Sequence, residues 1–515
     1  MSVVTAMGTA TDVKQRRELC FEAIRAQLSA DELASAVSCA MRLLNEFPSG
    51  RSVSENVVLV AYGGGKDSSY TVTFVRFMQL IIDRLYGTTF SIRTVTNWVP
   101  GMTSAVLENI DRAYQALALY DDPSCEVLLV TGNTLAPFSN GPVRAPETAQ
   151  RVRLDMLMTG HRTGGDARPT FCNTCNMRMI NAFALAARHG QGVDVIITGD
   201  SSDEQRSYLR WVALVARRVG AAKPRSGPGE FANFMSTVNR IGETYYTDIY
   251  GERAPVEVQE RTVAKDVPSR VRFFSIYGDT EYASGEHWDL LTKFLGFQFD
   301  DIAFSFTESD CGNPALMAHI RGLKCQHIYG RSYAEGIKEY VDFAISLMRD
   351  KRFPDFLIEK VRARYDTPEA IGRMRQVMDR YSWETFGVGE EQLLCMLYAP
   401  FGDKAAFLPR YLTEVHPELA CRPAEIIELL AGQTQGTPAD PGYAGLRQAL
   451  ERISGLELRY LRQLYTSPVR RTESGGASPG VDIIGAILEG DPHKAIIKSQ
   501  HSPTGPVVEE QISGR

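Results

Sequence analysis

A glycine-rich loop at residues 63–69 is the segment of the chain whose residue types are best suited to chemistry. It follows an apolar run, residues 57–62, and precedes residues 70–85, whose apolar side chains recur at helical spacing. Glycines let a backbone turn sharply and approach a phosphate, and the amides that open a helix then face the anion. A lysine adds positive charge, two serines add hydroxyl donors, and an aspartate can hold a metal ion on pyrophosphate. These properties predict a phosphate site made of Gly63, Gly64, Gly65, Lys66, Asp67, Ser68 and Ser69.

The spacing within this loop differs from that of two common phosphate motifs. It matches neither the G-x-x-x-x-G-K-[ST] pattern nor the dinucleotide pattern G-x-G-x-x-G. The alternative interpretation is an ordinary glycine-rich turn between a strand and a helix.

An acidic turn follows a later apolar run, residues 193–198, and contains Asp200, Asp203 and Glu204. Parallel strands end at one edge of their sheet, so this turn is expected beside the glycine loop. Carboxylates at that edge would hold Mg²⁺ on a departing pyrophosphate. The alternative is a helix start capped by Ser201 or Ser202, and both interpretations can hold together.

Two cysteines, Cys172 and Cys175, form a C-x-x-C pair before a helical run of apolar residues. At positions i and i+3 near a helix start, both thiolates can reach one metal ion or cluster. Two ligands do not complete such a site, and the candidates for a third are Cys311 first and Cys325 second. Three cysteines on an iron–sulfur cluster would leave one iron open for chemistry. The alternative is a pair of reduced thiols without a metal.

The elements that must position these residues indicate an α/β fold. Short apolar runs alternate with helical patterns, which is typical of a doubly wound parallel sheet covered on both faces. Serine, glycine and proline clusters near the end of the chain indicate a loosely held segment. The predicted divisions are a helical lead-in (1–54), an α/β domain (55–333), a helical C-terminal domain (334–467) and a flexible tail (468–515).

Composition limits the class of protein. The 515 residues are 44% hydrophobic, which suffices for two or three folded units. A formal net charge of −6 lacks the basic balance that nucleic-acid binding favours. The nine cysteines follow no apolar leader, and no apolar run approaches the roughly 20 residues that cross a bilayer. We therefore expect a cytoplasmic protein with reduced thiols and no membrane partner, and a homo-oligomer stays open.

The loop string G-G-K-D-S-S resembles the S-G-G-x-D-S loop of the PP-loop ATP pyrophosphatases, with Gly63 in place of the first serine. The C-x-x-C pair and the T-G-x-x-x-D turn are similar to those of the tRNA 2-thiolation branch, over about residues 55–330. The resemblance implies a HUP-like sheet, ATP with Mg²⁺ between residues 63–69 and 199–203, and a 4Fe–4S cluster or Zn²⁺ on Cys172, Cys175 and Cys311. It implies catalytic roles for Lys66, Asp67 and Asp200, and nucleotide contacts from Gly63, Gly64, Gly65, Ser68, Ser69, Thr94, Gly199 and Asp203.

A second branch, the N-acetyl sugar amidotransferases, is similar in other respects. Its G-G-K-D-S-S-Y string matches the loop through Tyr70, and it also has a C-x-x-C pair before a helix. Its downstream segment with tyrosine and tryptophan looks like residues 276–279, Trp288 and residues 329–331.

Three functions follow from these resemblances. In the first, a carbonyl or amide oxygen attacks the α-phosphorus of ATP, pyrophosphate leaves, and a sulfur nucleophile displaces AMP. In the second, ammonia or an amine is the nucleophile. The third is a nucleotide-binding module without catalysis. The acceptor is expected to be a small molecule or a carrier-bound carbonyl, and tRNA is less favoured because the chain is not basic.

Overall fold

A six-stranded sheet lies at the centre of the computed structural model, which describes residues 12–199, 202–224, 227, 229–251, 255–262, 266–277, 287–304, 311–433, 441–470, 482–491 and 494–513. Its strands are β1 (Val57–Ala61), β2 (Ser91–Trp98), β3 (Cys125–Thr131), β4 (Thr134–Pro137), β5 (Val195–Ile197) and β6 (Arg272–Phe273). Their order is β4-β3-β2-β1-β5-β6, and all neighbours are parallel except β4, which runs antiparallel to β3. The predicted α/β class with a mostly parallel sheet is confirmed.

Helices precede, cover and follow this sheet. The first eight are α1 (Val13–Arg25), α2 (Ala30–Glu46), α3 (Lys66–Tyr86), α4 (Ser104–Ala116), α5 (Pro146–Thr163), α6 (Ala167–Arg188), α7 (Ser202–Arg218) and α8 (Glu230–Tyr250). A short α9 (Pro255–Gln259) and a π-helical turn (Leu290–Phe294) lie on either side of β6. No helix in the described stretches is both long enough and apolar enough to cross a bilayer.

The C-terminal half is built mainly from helices. They are α10 (Pro314–His327), α11 (Tyr333–Asp350), α12 (Asp355–Ala363), α13 (Pro368–Phe386), α14 (Glu390–Tyr398), α15 (Leu408–Glu414), α16 (Pro423–Ala431), α17 (Pro441–Ser454), α18 (Leu458–Tyr465) and α19 (Ile483–Gly490). Helix α14 packs directly on α5. At Gly160 of α5 there is no room for a side chain, since a Cβ there would lie 2.1 Å from the sulfur of Met396 in α14. The helical half is therefore in close contact with the helices that cover the sheet.

Strand β1 shows why the central strands are apolar along their whole length. Val58, Leu59 and Val60 are all fully buried. Val58 and Val60 belong to the main core, whereas Leu59 belongs to a second core that includes residues of α6 and α8. Successive side chains of a strand point to opposite faces, so a strand covered on both sides needs apolar residues at every position.

The lead-in helices α1 and α2 are fastened to the sheet region by charged groups. Arg17 of α1 lies 2.8 Å from Asp83 of α3 and 2.8 Å from Asp122, which precedes β3. Helix α2 begins with a capping box between Ser29 and Glu32. The same Glu32 carboxylate lies 3.4 Å from the hydroxyl of Tyr70 in α3, so the lead-in reaches the first turns of that helix.

The described part of the segment predicted as a flexible tail, residues 468–515, contains regular secondary structure. In addition to α19, residues Lys494–Gln500 and Val507–Ser513 form an antiparallel hairpin, β7 and β8. Glu510 of β8 is buried and lies 2.8 Å from Arg321 and 3.1 Å from Lys324 of α10. These cations lower the pKa of Glu510 against the opposing effect of burial. A buried carboxylate requires such partners, and these pairs hold the hairpin on the helical half.

Candidate functional site

Glycine is required at Gly64 for two separate reasons. Its φ is +80°, a conformation in which a side chain is strained. A Cβ at this position would also lie 2.8 Å from Cγ1 of Ile110 in α4. Gly65 is then the N-cap of α3, which begins at Lys66. The sequence therefore produces the predicted strand, tight loop and helix at residues 57–86.

The loop hydroxyls bond to the helix itself. Ser68 Oγ and Ser69 Oγ donate to the carbonyl of Gly65 at 3.0 and 2.8 Å. Ser69 is fully buried, and its amide makes the first bond of α3, also to Gly65, at 3.0 Å. In an α-helix the amides that precede this first bond point out of the N-terminal end, where they favour an anion. The loop is therefore arranged to present backbone amides, and Ser69 supports the turn from inside.

Lys66 and Asp67 form an ion pair at the start of α3. Lys66 Nζ lies 3.0 Å from an oxygen of Asp67, and the lysine side chain is only 8% exposed. The Trp288 ring lies beside this ammonium, with its centroid 5.7 Å from Nζ. Burial lowers the pKa of Lys66, Asp67 partly offsets that shift, and repulsion from Lys351 adds to it. A buried cation at a helix N-terminus is suited to an anionic ligand.

Gly199, which follows β5, lies directly against this helix start. A Cβ at Gly199 would be 2.8 Å from Cα and 2.9 Å from Cβ of Ser68. Strands β1 and β5 are neighbours with β2 and β6 on their outer sides, so the strand order reverses between them. Open α/β sheets bind ligands beyond the carboxyl ends of the strands at such a switch point. The glycine loop and Gly199 therefore meet where a ligand is expected.

Other predicted nucleotide contacts have different positions. Thr94 is buried inside the sheet beside Val60, and its hydroxyl donates to Tyr114 at 2.8 Å. Asp200 lies outside the described residues, as does the side chain of Asp203 within α7. The assignments of Thr94, Asp200 and Asp203 stay predictions.

The three predicted metal ligands do not form a recognisable centre. Helix α6 begins at Ala167, so Cys172 and Cys175 lie inside the helix rather than at its start. Their side chains are 4% and 6% exposed, and the thiol of Cys175 lies 3.5 Å from the carbonyl of Phe171. Cys311 is also buried, just before α10. Within the described parts of the chain, no three histidine, cysteine, aspartate or glutamate side chains are grouped to hold a metal ion.

Two aromatic residues after β6, in the segment that resembles the amidotransferase branch, contact the loop region. The hydroxyl of Tyr277 donates to the carbonyl of Gly199 at 2.9 Å. Trp288 packs on Phe353 with ring centroids 5.2 Å apart and lies beside Lys66. Two sequence features pointed to these residues. One is their position after the last parallel strand, and the other is the likeness of this segment to the amidotransferase branch.

Two comparisons with known proteins found no match. No protein-family model matches the chain, and no curated protein matches it.

Proposed function

We propose that the chain is an enzyme that binds ATP at residues 63–69 and splits it into AMP and pyrophosphate by adenylating an acceptor. The observation that carries the proposal is the contact of Gly199 with Ser68 at the switch point of the sheet. Gly199 of the loop after β5 packs there against Ser68, in the first turn of the helix that follows the glycine loop. An ordinary turn between a strand and a helix does not require a second loop beside it. The presence of the loop after β5 therefore supports a site for phosphate.

The proposed chemistry requires the loop to stabilise a leaving pyrophosphate. An oxygen of the acceptor attacks the α-phosphorus, a new P–O bond forms, and the bond between the α-phosphorus and the bridging oxygen breaks. The electron pair leaves with pyrophosphate, whose charge the loop amides and Lys66 stabilise. The acceptor carbon is then electrophilic, and a nucleophile displaces AMP by attack at that carbon. Mg²⁺ would neutralise part of the pyrophosphate charge, and the carboxylate of Asp67 would be able to hold it.

The finer fold assignment belongs to the same proposal. Five parallel strands in the order β3-β2-β1-β5-β6, with the glycine loop after the first strand in sequence, support a HUP-like sheet of the PP-loop type. The resemblance of the loop string to the PP-loop motif supports the AMP-forming reaction rather than transfer of the γ-phosphate.

The second half of the reaction remains a choice between two nucleophiles. Sulfur is the first proposal, from the likeness to the thiolation branch, and ammonia or an amine is the second. Cys172, Cys175 and Cys311 do not fit an iron–sulfur or zinc centre as they lie in the described chain. No step is therefore assigned to a cluster, and the nucleophile is to be identified from the product.

Product analysis tests the proposed reaction. The protein is incubated with ATP, Mg²⁺ and fractions of small metabolites, with ammonium or sulfide supplied, and nucleotides are followed by ³¹P NMR. We expect AMP and pyrophosphate in equal amounts with at least one fraction, and nitrogen or sulfur from the labelled donor in the product. Asp67→Ala should stop the reaction, because it removes the carboxylate beside Lys66 and beside the expected Mg²⁺.

Asp342→Ala is the matched control, since Asp342 forms an exposed pair with Lys338 at 2.8 Å in α11, and activity should be retained. Formation of ADP and phosphate would contradict the proposal. Binding of ATP without turnover in any fraction would instead support the nucleotide-binding module.

A further inference from the structure

Tyr277 connects the two loops of the candidate site through its hydroxyl group. The hydroxyl donates to the carbonyl of Gly199 at 2.9 Å. Its oxygen also lies 2.9 Å from Oγ1 of Thr71 in α3, and Thr71 can act as the donor in that contact. One phenol oxygen therefore bonds to the loop after β5 and to the helix that follows β1.

The second contact reaches the start of the helix. Oγ1 of Thr71 lies 3.0 Å from the carbonyl of Asp67, one helical turn earlier. Thr71 is fully buried, so its hydroxyl is held in one place. Thr71 has one hydroxyl proton and cannot donate to Tyr277 and to Asp67 at once, so the connection runs from Gly199 through Tyr277 to Thr71 of α3. It joins the same two segments as the close approach of Gly199 to Ser68.

The hydrogen bonds of Tyr277 have a different effect from the close approach of Gly199 to Ser68. Gly199 can approach Ser68 closely because it has no side chain, but the absence of a side chain does not hold the two segments together. The hydrogen bonds of Tyr277 provide the attraction that holds the two segments together. Hydrogen bonds inside a protein favour one separation of the groups that they join, because both distance and angle are restricted.

We propose that Tyr277 is a positioning residue that holds the loop after β5 against the start of α3, and thereby sets the affinity for the phosphates of ATP. The role rests on the proposed function, since the two segments that Tyr277 joins belong to the site proposed for the nucleotide. Tyr277 acts through Gly199 and Thr71 and is not itself required for the chemical step. The expected signature is an increase in KM for ATP with little change in kcat.

A double-mutant cycle tests this role through ATP binding. Tyr277→Phe and Thr71→Val each remove one partner of the connection while keeping the ring or the branched shape. We expect each variant to bind ATP·Mg²⁺ about tenfold more weakly in calorimetry, as for the loss of one well-placed hydrogen bond. The double variant should be no weaker than the weaker single variant, because both changes break the same connection. Thr71→Ser keeps the hydroxyl and should retain the wild-type affinity.

Tyr398→Phe is the matched control. The hydroxyl of Tyr398, in the helical half, lies 2.9 Å from the backbone carbonyl of His327 and 2.6 Å from a carboxylate oxygen of Glu414, so like that of Tyr277 it has two partners. Its loss should lower thermal stability to a similar extent and leave ATP affinity unchanged. Circular dichroism and thermal melting establish that each variant is folded.

The outcomes separate this role from the proposed function. If wild-type protein fails to bind ATP, the proposed function and the role of Tyr277 are both wrong. If wild-type protein binds ATP and Tyr277→Phe binds equally well, the enzyme proposal stands and the positioning role is overturned. Multiplicative losses in the double variant would also overturn it, because independent effects would then replace a shared connection.

Discussion

Gly199→Ala is expected to weaken ATP binding at least a hundredfold while the protein remains folded. The new methyl group would lie 2.8 Å from Cα and 3.1 Å from the amide nitrogen of Ser68. These are backbone atoms of a helix start, so the strain cannot be relieved by turning a side chain. The loop after β5 and the helix must separate, and the two segments of the proposed phosphate site change their relative position. A cost in stability of about 1–3 kcal/mol is typical of such overpacking.

Calorimetric titration with ATP·Mg²⁺ measures this effect, and Gly336→Ala provides the control. A Cβ at Gly336 would lie 2.5 Å from the carbonyl oxygen of Arg321, between α10 and α11, so that variant also introduces a clash with the backbone. It should lose stability but keep ATP affinity. Equal ATP affinity of Gly199→Ala and wild-type protein would show that the contact of the two loops is unrelated to nucleotide binding.

Lys66→Ala is expected to lower kcat by about a hundredfold to a thousandfold. Removal of one group that stabilises developing charge in a shielded site has an effect of this size. The Lys66 side chain is nearly buried. In the alanine variant, water is therefore not expected to stabilise the phosphate charge as well as the ammonium group does. The rate of AMP formation under saturating ATP measures the change. Lys338→Ala, which breaks the exposed pair with Asp342, should leave the rate unchanged.

The same lysine predicts the alkaline limit of activity. Burial lowers the pKa of Lys66 below its ordinary value of 10.5. Protonated Lys66 is required, so kcat/KM should fall as the pH rises through this lowered pKa, which belongs to the free enzyme. The alkaline limb should therefore lie below the range of an ordinary lysine. A limb that remains in place after Lys66→Arg replacement would assign it to another group, because arginine does not lose its proton in this range.

The sequence was sufficient for the central fold because the decisive signals are local. Apolar runs at residues 57–62 and 126–131 correspond to β1 and β3, and the glycines between residues 62 and 66 mark the turn into α3. Strand β4 was not predicted because most of its residues are exposed and it adds only an antiparallel edge. The residues of β4 do not alternate between buried and exposed positions, so no strand periodicity indicates it.

Other features depend on contacts between distant parts of the chain. The hairpin β7–β8 is rich in polar residues, and its buried Glu510 is held by Arg321, which lies far away in the sequence. The same limit applies to the candidate site. The sequence predicted residues 63–69 and a turn after residue 198 at the same edge of the sheet, but the direct contact of Gly199 with Ser68 and the bonds of Tyr277 depend on how the strands are ordered. Local composition does not contain that order.

The position of the C-x-x-C pair illustrates a different limit. Its spacing is compatible with a shared metal ion, and the sequence predicted that it opens a helix. Helix α6 instead begins at Ala167, and both thiols are buried within it. Cysteine is among the residues most often buried without any special role, so spacing alone does not distinguish a metal site from a packed core.

Hydrogen exchange of the backbone amides tests the central claim most directly. The claim is that the amides at the start of α3 bind the phosphates of ATP. The exchange of full-length protein is compared by mass spectrometry with and without α,β-methylene-ATP and Mg²⁺, an analogue that cannot be split between the α- and β-phosphorus. The account predicts slower exchange at residues 64–68 and at Gly199. Binding of the analogue with protection only elsewhere in the chain would contradict it.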